Sequence, residues 1–410
     1  LHSFPTRRSS DLQLVYLKSK KFAAMFLACL MLLSTATACG KKKEEEKKPS
    51  EKVEEKKPET KKEEGLTIKD AAGRTVKLKG VAKRVVTDSP ETLRFYSYIN
   101  GIEGVVGVSV SDHRIMHTPY AFAYPGKKNI KGFGGGYTID NFEGVVLEKP
   151  DVIFSSSKDQ ISEYDKIQEQ TGIPVVALEP GTGVVFDPKV SESLTIIGKV
   201  IGKEDRAKEV VEFMDSLKKD LEKRTKDIPE NERKRAYVGG LIWNGPHGIE
   251  GTRENYPLFD VNNIKNVVTG IGKNGHLDLD KEKIMSWDPE YIILDMGSIH
   301  LIQDDFNKNK EYYKNLKAFK NKKVFGQIPF VAADVNVDTA LADAYYIGKV
   351  VYPEKFQDVD PVKKADEIYS FMLKKPVYAE VAKNTFGGFQ PVSLEDLEAN
   401  KFFKEIKKKN

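Results

Sequence analysis

Within the 410 residues of this chain, the run Trp243-Asn244-Gly245-Pro246-His247-Gly248 concentrates side chains suited to holding a ligand. An indole offers a flat face for a macrocycle or a catechol, and an imidazole offers an axial ligand for a metal. Arg253 and Tyr256 follow closely, and an arginine fork binds carboxylates or oxyanions. The plainer reading of the same residues is a packed loop, with Trp243 in a hinge and Arg253 in a surface ion pair. Further candidates are Tyr137 at the end of Gly132-Phe133-Gly134-Gly135-Gly136-Tyr137, Arg114 in Ser111-Asp112-His113-Arg114, and Asn336. Asn336 either touches ligand or caps the helix that follows it. The glycine run lacks a preceding strand at phosphate-binding spacing, which excludes a dinucleotide site. Its backbone could still approach a ligand closely.

Catalysis and direct metal binding find little support. The two cysteines, Cys29 and Cys39, both lie near the start, so the body has no thiol nucleophile, disulfide or thiolate metal site. Ser155-Ser156-Ser157 has no nucleophile-elbow sequence, and Asp304-Asp305 read as solvated charges. There are six histidines in all. His113 and His117 are four apart, but Pro119 argues against a shared helical face. The expectation is a non-enzymatic protein with no cofactor and no resident metal. A net charge of +5 is too mild to argue for nucleic acid.

The elements that would position these residues alternate. Short apolar strands (84–87, 105–110, 151–155, 174–178) are separated by helical stretches, which implies a covered parallel sheet. After 188–227 the alternation restarts at 234–241 and continues through 291–294 and 324–327. Between the two halves, KEDRAKEVVEFMDSLKKDLEKRTK carries Ala207, Val210, Val211, Met214, Leu217 and Leu221 on one stripe. This reads as one long connecting helix. The predicted class is therefore α/β: two Rossmann-like lobes joined by a single long helix, with a ligand cleft between them at the strand ends. The predicted boundaries are 66–187 for the first lobe, 188–227 for the connecting helices, 228–373 for the second lobe and 374–410 for a polar extension.

Ahead of the body, residues 1–12 resemble a translated adapter, and 13–38 read as a secretion signal with a basic start and a short apolar run. Ala36-Thr37-Ala38-Cys39 resembles a bacterial lipobox, although Leu is more usual where Ala36 stands. That resemblance implies cleavage before Cys39 and lipidation of its sulfur. Residues 39–65 are almost entirely Lys, Glu and Pro, a composition that cannot bury a core and implies an extended tether. The expected location is the outer face of the cell membrane, with contact to the membrane through the lipid alone.

One pattern occurs twice. Residues 141–154 read NFEGVVLEKPDVIF and residues 280–293 read DKEKIMSWDPEYII. Aligned, Glu143 meets Glu282, Pro150 meets Pro289, and Val145 meets Ile284. Each copy reads as a short helix led by an exposed glutamate, a Pro-acid break and an apolar strand. With this E-x6-P-[DE]-x-I pair, GKEDRAKEVVEFMDSLKKDLEKR (202–224) and ALADAYYIGKVVYPE (340–354), residues 66–373 resemble the periplasmic-binding-protein class whose lobes are joined by one long helix. Members serve importers of ferric siderophores, heme and cobalamin, with zinc and manganese receptors as relatives and a molybdate receptor of similar architecture. The resemblance implies a monomeric substrate-binding lipoprotein of an ABC importer, with an iron complex of siderophore or heme type as the first expectation for its ligand. Molybdate, tungstate or cobalamin is the alternative within the class, and a surface interaction lipoprotein the alternative outside it. It also implies that Glu143 and Glu282 dock one lobe each onto a dimeric permease.

Overall fold

A computed structural model of the chain describes residues 65–134, 136, 138–156, 161–179, 185–272, 275–332 and 334–403. The adapter-like leader, the signal, Cys39, the tether up to residue 64 and Tyr137 lie outside the described residues.

The body begins with a hairpin. β1 (Leu66–Lys69) pairs antiparallel with β2 (Thr75–Leu78). The turn is held by buried Asp70, whose carboxylate accepts from the Ala72 and Arg74 amides and from the Arg74 guanidinium. A five-stranded sheet follows, built from β3 (Val85–Thr87), β4 (Val105–Ser109), β5 (Gly132–Phe133), β6 (Val152–Ser155) and β7 (Val175–Ala177). Its order is β5-β4-β3-β6-β7 and every pairing is parallel. Parallel strands need covering on both faces, and β3, β6 and β7 are buried at every residue.

The second lobe contains β8 (Arg235–Gly239), β9 (Gly251–Arg253), β10 (Lys265–Asn266), β11 (His276–Asp278), β12 (Tyr291–Asp295), β13 (Val324–Gln327) and β14 (Gln390–Pro391). Five of these form a sheet of order β10-β8-β12-β13-β14, while β9 and β11 pair separately. β14 is antiparallel to β13, and the other pairings in that sheet are parallel.

The sequence repeat is a repeat of structure. Val145 and Ile284 are both fully buried. Lys149 and Asp288, which align, are both left-handed, with φ of 50° and 41°. That conformation costs a non-glycine residue roughly 1–2 kcal/mol, yet both copies keep it. The next turn is fixed alike in the two lobes. Asp151 N donates to Arg84 O and Glu290 N to Arg235 O. The Arg84 side chain donates to Glu148 O and the Arg235 side chain to Trp287 O, each at 2.6 Å.

Between the sheets, the helix Pro188–Ile201 stops at left-handed Gly202, and the helix Glu204–Thr225 follows. Its 22 residues span roughly 33 Å. Ala207, Val210, Met214, Leu217 and Leu221 form its buried stripe. Near its start Arg206 donates to Tyr98 O in the first lobe and to Phe371 O. Near its end Arg224 grips Asp358 through both terminal nitrogens, at 2.7 and 2.8 Å. The lobes also touch directly. Arg94, fully buried, donates to Val335 O (2.9 Å) and Ala332 O (3.2 Å). Tyr124 OH donates to Leu373 O (2.7 Å). One apolar core runs through both lobes, including Leu93 and Phe154 on one side and Val238 and Ile347 on the other.

The polar C-terminal extension expected at 374–410 requires correction. Helices Tyr378–Asn384 and Leu394–Glu398 flank β14, which completes the second sheet. Leu397 and Phe402 are fully buried, and Gln303 Nε2 donates to Leu397 O. Residues through 403 thus belong to the second lobe. A two-residue strand carries no alternation for a sequence reading to find.

Candidate functional site

The loop after β8 turns through Gly240 and doubles back so that Leu241 N bonds Gly251 O. It carries Trp243 and His247, whose rings stack with centroids 3.5 Å apart and an 11° interplanar angle. Gly251 permits the approach: a Cβ there would lie 2.5 Å from His247 Cβ. β9 then pairs antiparallel with β11, in a register that sets Arg253 opposite His276. His276 also stacks on Trp243, at 4.9 Å and 13°. Three aromatic rings and one guanidinium are therefore gathered by one loop and one two-stranded ribbon.

His247 is fully engaged. Its Nδ1 lies 3.0 Å from Asp278 Oδ1 and its Nε2 2.9 Å from Trp243 O. Both partners are acceptors, so neither ring nitrogen is left open to a ligand. Its backbone amide donates to Ser298 Oγ.

Arg253 presents the opposite situation. It is 7% exposed, its Nε is buried with no partner, and among the described residues its guanidinium has no ion pair or hydrogen bond. Burial pulls its pKa down, and Tyr256 and Asp260 pull it partly back from beyond ion-pair distance. An unpaired buried cation costs several kcal/mol, a cost that a nearby anion would lower. His276 lies beside it with no hydrogen bond to its ring among the described residues. Burial first, then Arg253 and His247, push its pKa down to about 4.

The remaining predicted residues lie apart from this cluster or behind it. Tyr256 is fully buried, and its OH donates to Gln327 Oε1 at 2.6 Å. It stands in front of two buried acids. Desolvation pushes Asp295 up to about 7 and, with Asp295 adding to it, holds Asp343 well above the usual carboxylate range. Asn336 is 1% exposed. It makes no capping bond, and its amide donates to Phe330 O and Ala332 O, pinning the loop that also receives Arg94. Arg114 is exposed at the end of the helix Val110–Arg114 after β4. Ser111 in that helix donates to Gly136 O of the glycine run. Glu143 and Glu282 are exposed on the helices Phe142–Leu147 and Lys281–Trp287.

Sequence reasoning named the Asp88-Ser89 loop as cleft-lining and missed His276. His276 gave no signal, because its partner Arg253 meets it only through pairing across a long connection. In the first lobe, Asp88 follows β3 and accepts from Ser155 Oγ and the Ser156 amide, while Ser89 and Ser156 share a 3.0 Å bond. Burial raises Asp88 to about 6. Among the described residues no three His, Cys, Asp or Glu side chains converge as a metal site.

Two α/β lobes around a long helix, with polar loops at the strand ends of each, define a bilobal ligand-binding protein. The chain belongs to the periplasmic binding protein family, whose model matches residues 114–327, just over half of it and parts of both lobes. It is a substrate-binding protein of an ABC transporter, a non-enzymatic transport component. Such proteins work outside the cytoplasm and hand small ligands to a permease.

Among particular relatives, the molybdate-binding protein MolA of Haemophilus influenzae is 24% identical over 74% of this chain and 89% of its own length. The structure of MolA bound to molybdate superimposes with a TM-score of 0.60 at 22% identity, covering 76% of this chain and 98% of that one. YvrC of Bacillus subtilis, an uncharacterised ABC transporter substrate-binding lipoprotein, is 21% identical over 82% of this chain and 98% of its own length. The TroA-like binding protein FepB of Veillonella parvula has a TM-score of 0.58 at 21% identity, over 76% and 97% of the two chains.

Proposed function

We propose that this protein captures an oxyanion of the molybdate and tungstate type, with Arg253 as its principal charge partner, and delivers it to an ABC permease. The observation that carries this reading is buried Arg253, whose guanidinium makes no ion pair among the described residues and feels Asp260 only from beyond ion-pair distance. An anion supplies the missing partner and recovers the cost of desolvating it. The likeness to a molybdate-binding protein across most of the chain supports the same class.

A chelated iron, the first expectation from sequence, fits this arrangement less well. To hold such a complex, this loop would offer a free indole face and a free imidazole. Here Trp243 stacks on two imidazoles, and both His247 nitrogens already have partners. Cobalamin meets the same objection.

Lipidation at Cys39 and tethering to the outer face of the membrane complete the proposal, supported by the lipobox-like segment and the likeness to a lipoprotein. Glu143 and Glu282 dock the two lobes onto the permease dimer. Their support is equivalent exposed positions on structurally equivalent helices.

Isothermal titration of the purified protein with sodium molybdate, sodium tungstate, a ferric siderophore, hemin and cobalamin tests the ligand. Molybdate and tungstate are expected to bind, and Arg253→Gln to weaken both by roughly thirty- to thousandfold. Tight binding of a ferric complex that survives Arg253→Gln would defeat the reading.

A further inference from the structure

We propose that His276 is a second ligand-contacting residue, and that it takes up a proton when the anion binds beside Arg253. The proposal rests on the oxyanion reading above and adds to it a residue and a linkage.

Its geometry is specific. The antiparallel register places His276 directly across from Arg253, so both side chains project from the same face of the ribbon. The indole of Trp243 fixes the ring plane of His276 from one side. Of the two imidazoles on that indole, His247 has both nitrogens engaged and His276 has neither engaged among the described residues. His276 is thus the imidazole with hydrogen-bonding capacity left to give.

The charges around it set the direction of the linkage. From β9 it faces Arg253, and from the loop before β9 it faces His247. Asp278, two residues along its own strand, has its carboxylate turned to His247 Nδ1. Burial first, then Arg253 and His247, keep the free imidazole neutral, with its pKa pushed down to about 4. An anion on Arg253 cancels the nearest positive charge and adds negative charge in its place, which favours the protonated ring. The protonated ring donates a charge-assisted hydrogen bond to the same anion. Because the bound pKa then exceeds the free one, the protonated ring adds affinity that is full below the free pKa and is lost as pH rises through the bound pKa, leaving the Arg253 contact.

The test is titration of the full chain with sodium molybdate at pH 6 and pH 7.5, in three buffers of different ionisation enthalpy. The wild type is expected to take up protons on binding, more at the lower pH. Its affinity should weaken as pH rises, by at most about tenfold per pH unit for a single proton. His276→Gln keeps hydrogen-bonding capacity without a titrating ring. It should still bind, with no proton uptake and a flat pH profile. Molybdate binding by the wild type without proton uptake overturns this proposal and leaves the Arg253 reading standing, as does uptake that persists in His276→Gln. No molybdate binding by the wild type overturns both.

Discussion

Replacing Arg253 by glutamine should move stability and affinity in opposite directions. In the structure Arg253 is 7% exposed, with a buried Nε that bonds nothing among the described residues. Holding an unpaired charge there costs several kcal/mol before relaxation and solvent access reduce the figure. Removing it should stabilise the free protein by about 1–3 kcal/mol, the cost of an unsatisfied buried polar group. The melting temperature should rise by about 2–4 °C for each kcal/mol, or somewhat less for a body this large. Affinity for molybdate should fall by about 2–4 kcal/mol, the usual loss when one partner of a buried hydrogen-bonded charge pair is removed. That is roughly thirty- to thousandfold. Thermal melts with and without ligand read both effects. At a hundred times its dissociation constant a ligand adds about 2.7 kcal/mol to the wild type, and the variant should lose most of that gain. A variant that melts lower than the wild type and binds as tightly would refute the reasoning, because Arg253 would then be a structural cation with a partner of its own.

Four further outcomes follow from the same structure. Asp88, Asp112, Asp338 and Asp295 have folded-state pKa values raised by burial to about 6, 6, 6 and 7. Each binds more protons folded than unfolded between the ordinary carboxylate range and those values, so stability should decline as pH rises from about 4 towards 7. Asp295→Asn should therefore raise the melting temperature at pH 8 and do little at pH 4.5, which thermal scans at the two pH values would check. Arg94→Met leaves the Val335 carbonyl without this donor and the Ala332 carbonyl with Asn336 alone, and should cost about 1–3 kcal/mol in urea denaturation; an unchanged midpoint would contradict the interlobe role. With those bonds and a shared core in place, ligand closure of the wild type should be small, and solution scattering should give nearly the same radius of gyration with and without molybdate. Glu143→Ala combined with Glu282→Ala should leave molybdate affinity intact and impair uptake by cells, and wild-type uptake at normal surface expression would defeat the docking assignment.

Much of the frame was legible because local physics writes it locally. The duplicated helix, Pro-acid break and strand appear in sequence through Val145 and Ile284 at matching positions, and the fold keeps even the left-handed residue at Lys149 and Asp288. The helices Val337–Val351 and Pro361–Leu373 announce themselves by apolar spacing and by a proline at or just past an end. What escaped is non-local. β14 gains its place only by pairing with β13, far back in the chain. Arg253 looked as fit for a surface ion pair as for a ligand, and burial decides between them. Trp243 and His247 were rightly linked as loop neighbours, but their mutual stacking, which removes them as a free platform and a free axial ligand, depends on how the loop folds back over Gly251. His276 carried no signal, since its meaning comes from the register that sets it against Arg253.

The most direct test of the central claim is a crystal of the protein grown with sodium tungstate and measured at the tungsten L-edge. The account predicts one strong anomalous peak within hydrogen-bonding reach of the Arg253 guanidinium and beside His276. Anomalous density confined to exposed lysines, with a ferric complex filling the cleft instead, would contradict it.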